Sequence, residues 1–209
     1  MVPQSLTELQ TDALTEIFNL GVGRAAAALS QIVGSEVLLS VPEVTLASPE
    51  AVRSLLLASR LNRLSTVAQH FSGLFEANAL LIFPEENALT IVGHMLDGQV
   101  PTDELSEYEQ EAMCEVGNII HNACISAVAD QFRIELHGGL PEHRVCDVHS
   151  LDWFEHITAT RGCILLLQID LNILQENIHG HILYVLGTSS LETILGAVDR
   201  FLAELEGMA

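Results

Sequence analysis

The chain has 209 residues, nearly half of them apolar and few aromatic, and its 28 acidic and 8 basic side chains give a formal net charge of −20. That length suits one compact domain or two small ones around an aliphatic core. The charge argues against nucleic acid, which requires a cationic footprint, and against an anionic membrane surface. All the basic residues are Arg, which excludes Schiff-base chemistry and a P-loop lysine. Cys114, Cys124, Cys146 and Cys163 form no C-x-x-C pair, so reduced cysteines in a cytoplasmic protein are the expectation. The N-terminus carries Glu8 and Asp12 without a basic region or long apolar core, unlike a signal peptide. No apolar run is long enough for a membrane span.

In chain order, Ser5-x-x-Glu8 fits a capping box, and a long helix is predicted to about Val33. Leu14, Ile17, Phe18, Gly21, Ala25, Ala28 and Ile32 form its buried stripe. A strand over 36–44 ends near Pro42. Ser48-Pro49-Glu50 opens a second helix to about Leu61. Strands near 65–71 and 74–83 flank the turn Ser72-Gly73, and Pro84-Glu85-Glu86 opens a helix to about Leu96. Gly98 and Pro101 mark a linker from Asp97 to Asp103.

The plan then repeats. Ser106-x-x-Glu109 fits another capping box, followed by a helix to about Phe132 and a strand toward Pro141. Residues 144–160 read as irregular structure or a weak strand. Strands at Cys163–Ile169 and Ile178–Leu186 and a helix at Ser189–Glu206 complete the chain.

The repeat is also written in single residues. Asp12, Glu16, Asn19 and Pro42 return as Glu111, Glu115, Asn118 and Pro141, each 99 positions on. Ala28, Glu36 and Glu43 return likewise as Ala127, Glu135 and Glu142. Two copies of this length suggest a duplicated domain with pseudo-two-fold symmetry, not a solenoid. The expected architecture is α/β: one domain over 1–209, made of repeats at about 1–97 and 104–209. Its strands are antiparallel and central, with two long motif helices exposed outside.

At 100° per residue, Asp12, Glu16, Asn19 and Gly23 share one ridge, as do Glu111, Glu115, Asn118 and Asn122. Met113, Val116, Ile120, Cys124 and Ala127 fall on the opposite, buried side. A carboxylate can pair with a partner's cation, and an amide one turn away can hold a water. Orienting an attacking water is one way to assist phosphoryl hydrolysis. The alternative is that both ridges are simply solvated helix faces. Gly21 reads as a helix-packing position and Gly23 as one that gives a partner access. His143, Cys146 and His149, with His156 nearby, lack the paired ligands of a zinc site and read as loop residues. Cys114 and Cys124 read as packing residues.

The motif resembles the CheC/CheX/FliY family of chemotaxis phosphatases. Their signature is Asp or Ser, three residues, Glu, two residues, Asn, twenty-two residues, Pro. Both copies fit, except that Glu111 replaces Asp or Ser. The run Gly21-Val22-Gly23-Arg24-Ala25-Ala26 and the segment Phe83-Pro84-Glu85-Glu86-Asn87-Ala88 are similar to this family too. Two motifs and no following switch domain bring the chain nearest to the CheC branch.

The resemblance implies dephosphorylation of the phosphoaspartate on a CheY-type response regulator. Glu16 and Glu115 would contact the regulator's lysine, and Asn19 and Asn118 would orient the attacking water. Asp12, Glu111, Pro42 and Pro141 would be supporting positions. Magnesium would belong to the regulator, leaving this chain without a cofactor of its own. A CheD deamidase partner is implied as well, with the 49–61 helix as a candidate contact. Two other readings of the residues stand beside this one: a non-catalytic module that binds a regulator or flagellar switch component, and a small-ligand sensor.

Overall fold

The computed structural model describes residues 5–58, 62–101, 103–150, 163–173 and 176–208. Helix α1 (Glu8–Val33) leads into strand β1 (Val37–Ala47), helix α2 (Pro49–Ala58), strands β2 (Arg63–Gly73) and β3 (Ala77–Pro84), and helix α3 (Glu85–Met95). A 3-10 turn at Leu105–Glu107 precedes helix α4 (Glu109–Phe132). Strands β4 (Leu136–Gly138), β5 (Glu142–Asp147), β6 (Cys163–Ile173) and β7 (Glu176–Leu186) and helix α5 (Thr188–Met208) follow.

The strands form one antiparallel sheet in the order β1-β6-β7-β3-β2, with β4 and β5 both paired to β2. Each half therefore lends its first strand to the other half's edge. At the centre β3 pairs with β7 across Leu80↔Leu183, with Ala79 opposite Tyr184 and Leu81 opposite Ile182. The alternation of a strand sends these side chains to two faces. Ala79, Leu81, Phe83, Ile182 and Tyr184 join the large core under α1 and α4. Leu80, Ile82, Leu183 and Val185 face the other way, onto Val52 and Leu56 of α2.

Helices α1 and α4 bury matching positions, from Ala13 and Ala112 through Ile17 and Val116 to Leu29 and Val128. They cross where α1 carries Gly21: a Cβ there would stand 2.6 Å from the Cys124 Cα. Burial pushes the Cys124 thiol up to about 12, so it behaves as a packing group. One copy carries Phe18, stacked on Tyr184 with ring centroids 5.5 Å apart. The other has Gly117, which admits Val67 of β2.

Several local expectations need correction. The first capping box is Thr7 with Gln10, two residues later than Ser5 with Glu8. At α4 the cap position is Tyr108, without a side-chain cap, and Glu109 turns into the core instead. Ile32 is 39% exposed, because the buried stripe steps through Ala25, Leu29 and Val33 where β1 returns along α1. The expected weak strand after 144 is the β5 strand, already formed at Glu142. Residues 59–61, where α2 was expected to continue, and 151–162, with His156, lie outside the described residues.

His121 stands where α1 has Val22. It is fully buried, and neither ring nitrogen has a hydrogen-bond partner among the described residues. Burial disfavours its cation and pushes its pKa down to about 3.

Gly21→Ala should force α1 from α4 and lower the unfolding free energy by about 1–3 kcal/mol. A Cβ at Gly23 meets nothing within 4 Å, so Gly23→Ala should be neutral or stabilising by up to ~1 kcal/mol. Urea unfolding of both variants checks the contrast. For His121, the unfolded chain binds a proton near pH 6.5 that the folded chain refuses until about pH 3. Stability is thus lost as pH falls through that window, by ~2 kcal/mol between pH 7 and pH 5. His121→Val should be the more stable protein and should flatten that slope; an unchanged urea midpoint difference between the two pH values would refute the assignment.

Candidate functional site

Each motif is built from a helix and the chain that returns beside it. From Asn19 the helix descends fourteen residues to Val33, about 21 Å at the α-helical rise. Gly34 turns the chain with φ 68°. Residues 35 and 36 lead into β1, whose first five residues run back along α1 to Val41. Val41 thus arrives level with Asn19. Its N–H donates to Asn19 Oδ1 at 3.0 Å.

The proline explains why that N–H is available. Pro42 has no N–H, and the β1–β6 register shifts between Ser40 and Glu43. A proline in a strand belongs at such a bulge. The bulge takes Val41 out of the ladder and leaves its amide for the helix.

The second motif has the same path, with Arg133 in the left-handed turn position at φ 53°. It holds its asparagine differently. Leu140, the counterpart of Val41, is 89% exposed, whereas Val41 is buried. Asn118 Oδ1 instead accepts from Gln69 Nε2 of β2 at 3.2 Å and from Asn122 Nδ2 at 2.6 Å. Pro141 is tied to the helix through its carbonyl, which accepts a weak bond from Cys114 Sγ at 3.7 Å.

The outcome at the surface is the same. Asp12, Glu16, Glu111 and Glu115 are exposed, and Asn19 and Asn118 are half-buried. Each amide oxygen is engaged by a donor of the protein, and neither NH2 has a partner among the described residues. Glu and Asn at i and i+3 share one helix face. Gly23 is exposed on the first ridge, as expected, but Asn122 turns inward, its Nδ2 also bonding the Asn118 carbonyl at 2.8 Å. Nothing in the sequence motif marks Gln69; the signal is its place on the strand that pairs with β4 and β5.

The histidine candidates resolve differently. His143 lies on β5, not in a loop, and its Nε2 meets Ser65 Oγ at 2.8 Å and Glu109 Oε1 at 3.4 Å. A nucleophile relay needs the acid and the hydroxyl on opposite ring nitrogens, and Ser65 is fully buried. This cluster is structural. Desolvation raises the Glu109 pKa, but hydrogen bonds from His143 and Ser65 and the charges of His143 and Arg63 outweigh it and hold the carboxyl below its usual range. Among the described residues no group of His, Cys, Asp and Glu side chains could hold a metal. No helix among them is long and apolar enough to cross a membrane. An open cleft of about 830 Å³ lies elsewhere, between the end of α1, α3 and Glu176.

No family model matches the sequence. Among solved structures, the chain is similar to Thermotoga maritima FliY, at 20% identity and a TM-score of 0.77, over 96% of this chain and 100% of that one. FliM in the FliM–SpeE complex from H. pylori matches at 12% identity and 0.66, over 93% and 97%. A chemotaxis protein CheX from Desulfovibrio desulfuricans matches at 15% identity and 0.52, over 82% and 99%. The chain thus has the fold of the CheC/CheX/FliY proteins, an α/β fold around an antiparallel sheet.

Proposed function

We propose that this protein is a phosphatase for the phosphoaspartate of a CheY-type response regulator, with one active ridge on each motif helix. The observation that carries the reading is the doubled Glu–Asn pair: both asparagines have the amide oxygen engaged by the protein and the NH2 without a partner among the described residues. Glu16 and Glu115 pair with the regulator's active-site lysine. Asn19 and Asn118 enter its active site, and an N–H donates to the water oxygen. The water then keeps a lone pair aimed at phosphorus, opposite the departing aspartate oxygen, so positioning carries the catalysis. Asp12 and Glu111 support the ridges, and Pro42 and Pro141 shape the returning chain.

The magnesium of the reaction belongs to the regulator, and this chain contributes no cofactor. The site of action is the cytoplasm, where chemotaxis signalling meets the flagellar switch. A CheD-type deamidase is a further partner, with α2 as its contact.

A second reading is a non-catalytic adaptor that holds a regulator or a switch component. The likeness to FliM, solved in complex with SpeE, favours it. Decay of a phosphorylated CheY-type regulator separates the two. With wild type, the decay should accelerate. Asn19→Ala and Asn118→Ala should each remove part of the acceleration, and the double variant all of it. Binding without acceleration by wild type would leave the adaptor; neither binding nor acceleration would reject both readings.

A further inference from the structure

We infer that Gln69 is a positioning residue for the second motif, so that the two ridges depend on different supports. The inference deepens the phosphatase reading and rests on it for its catalytic consequence. Gln69 lies on β2, outside both motif helices, and is 3% exposed. Its Nε2 donates to the Gly139 carbonyl at 2.9 Å and to Asn118 Oδ1 at 3.2 Å. A backbone carbonyl accepts and cannot donate, so the atom facing Gly139 is the nitrogen. That fixes the orientation of the Gln69 amide, and through it the Asn118 amide, whose oxygen must face the donor.

Asn122 completes the arrangement. Its Nδ2 bridges the Asn118 carbonyl at 2.8 Å and Asn118 Oδ1 at 2.6 Å. Gly138 leaves the room for it, since a Cβ there would stand 2.9 Å from Asn122 Oδ1. Gln69 Oε1 is buried without a partner among the described residues. A buried acceptor left unpaired is unfavourable, so the residue is kept in place for its donors. Both lone pairs of Asn118 Oδ1 are engaged, and the asparagine is left as a pure donor. Asn19 is held by one backbone N–H and keeps a lone pair free. The first ridge needs no counterpart of Gln69.

The test uses single-ridge backgrounds of the full chain. Asn19→Ala leaves the second ridge, and Asn118→Ala leaves the first. Adding Gln69→Leu should lower kcat for regulator dephosphorylation by roughly 10–100-fold in the Asn19→Ala background. The KM for the regulator should stay within about twofold, because Glu115 is untouched. In the Asn118→Ala background the rate should stay within about twofold. Equal losses in both backgrounds, or none in the first, would overturn the inference. If Gln69→Leu does not fold, Asn122→Ala removes the other bond from the helix side and should weaken the same ridge selectively. A second readout needs no activity. In the protein alone, the Asn118 side-chain amide protons should shift and broaden in Gln69→Leu while those of Asn19 do not. Sharp, unshifted Asn118 signals would reject the positioning role. Absence of acceleration by wild type would reject the phosphatase reading and leave this spectrum to decide the positioning role.

Discussion

Each motif depends on a support from behind its helix. In the first, the chain that returns after α1 brings the Val41 N–H to Asn19. In the second, Gln69 of β2 and Asn122 of α4 hold Asn118, and the returning chain contributes the Gly139 carbonyl that fixes Gln69. It is this support that converts a polar residue on a helix face into an oriented group. An unsupported surface amide rotates freely and offers donor and acceptor alike. One whose oxygen is engaged by Val41, or by Gln69 and Asn122, presents its donors in a fixed direction.

The shared sheet makes that arrangement possible twice. Because β1 pairs with β6 and β5 pairs with β2, each half closes the edge of the other. The returning strand of each motif is anchored to the opposite repeat, and the two helices cross at the Gly21–Cys124 contact. Neither motif is a property of its own half alone. The Arg24–Asp130 pair at 2.7 Å adds a tie between the helices, but both side chains are over half exposed, where such pairs contribute little.

Much of this was legible in the sequence because the repeat leaves its mark on single positions. The 99-residue offset located both helices, both ridges and both prolines. Helical periodicity placed Leu14, Ile17 and Phe18 inside and Asp12 and Glu16 outside, as found. Strand pairing was not legible, because the exchange of edges between halves is a long-range property that no local pattern encodes. The capping residues were missed for a different reason. Thr7 and Gln10 satisfy the same pattern as Ser5 and Glu8 two residues later, and Glu109 turns inward because His143 and Ser65 offer it partners. Gln69 carries no motif signature. Its role exists because β2 passes beneath the second ridge.

The two copies differ most in their supports. Gly34 turns the first copy without strain, while Arg133 adopts the same left-handed conformation with a side chain. Val22 packs where His121 is buried unpaired, and a backbone amide serves where Gln69 and Asn122 are recruited. Each change bears on the inner side of the second helix or its turn. The outer side keeps an exposed carboxylate one turn from a half-buried asparagine in both copies. If the ridges were solvated surface alone, nothing would tie the asparagine's orientation to a rebuilt interior. That both amide oxygens are engaged, through two unlike sets of hydrogen bonds, is what supports the proposed partner.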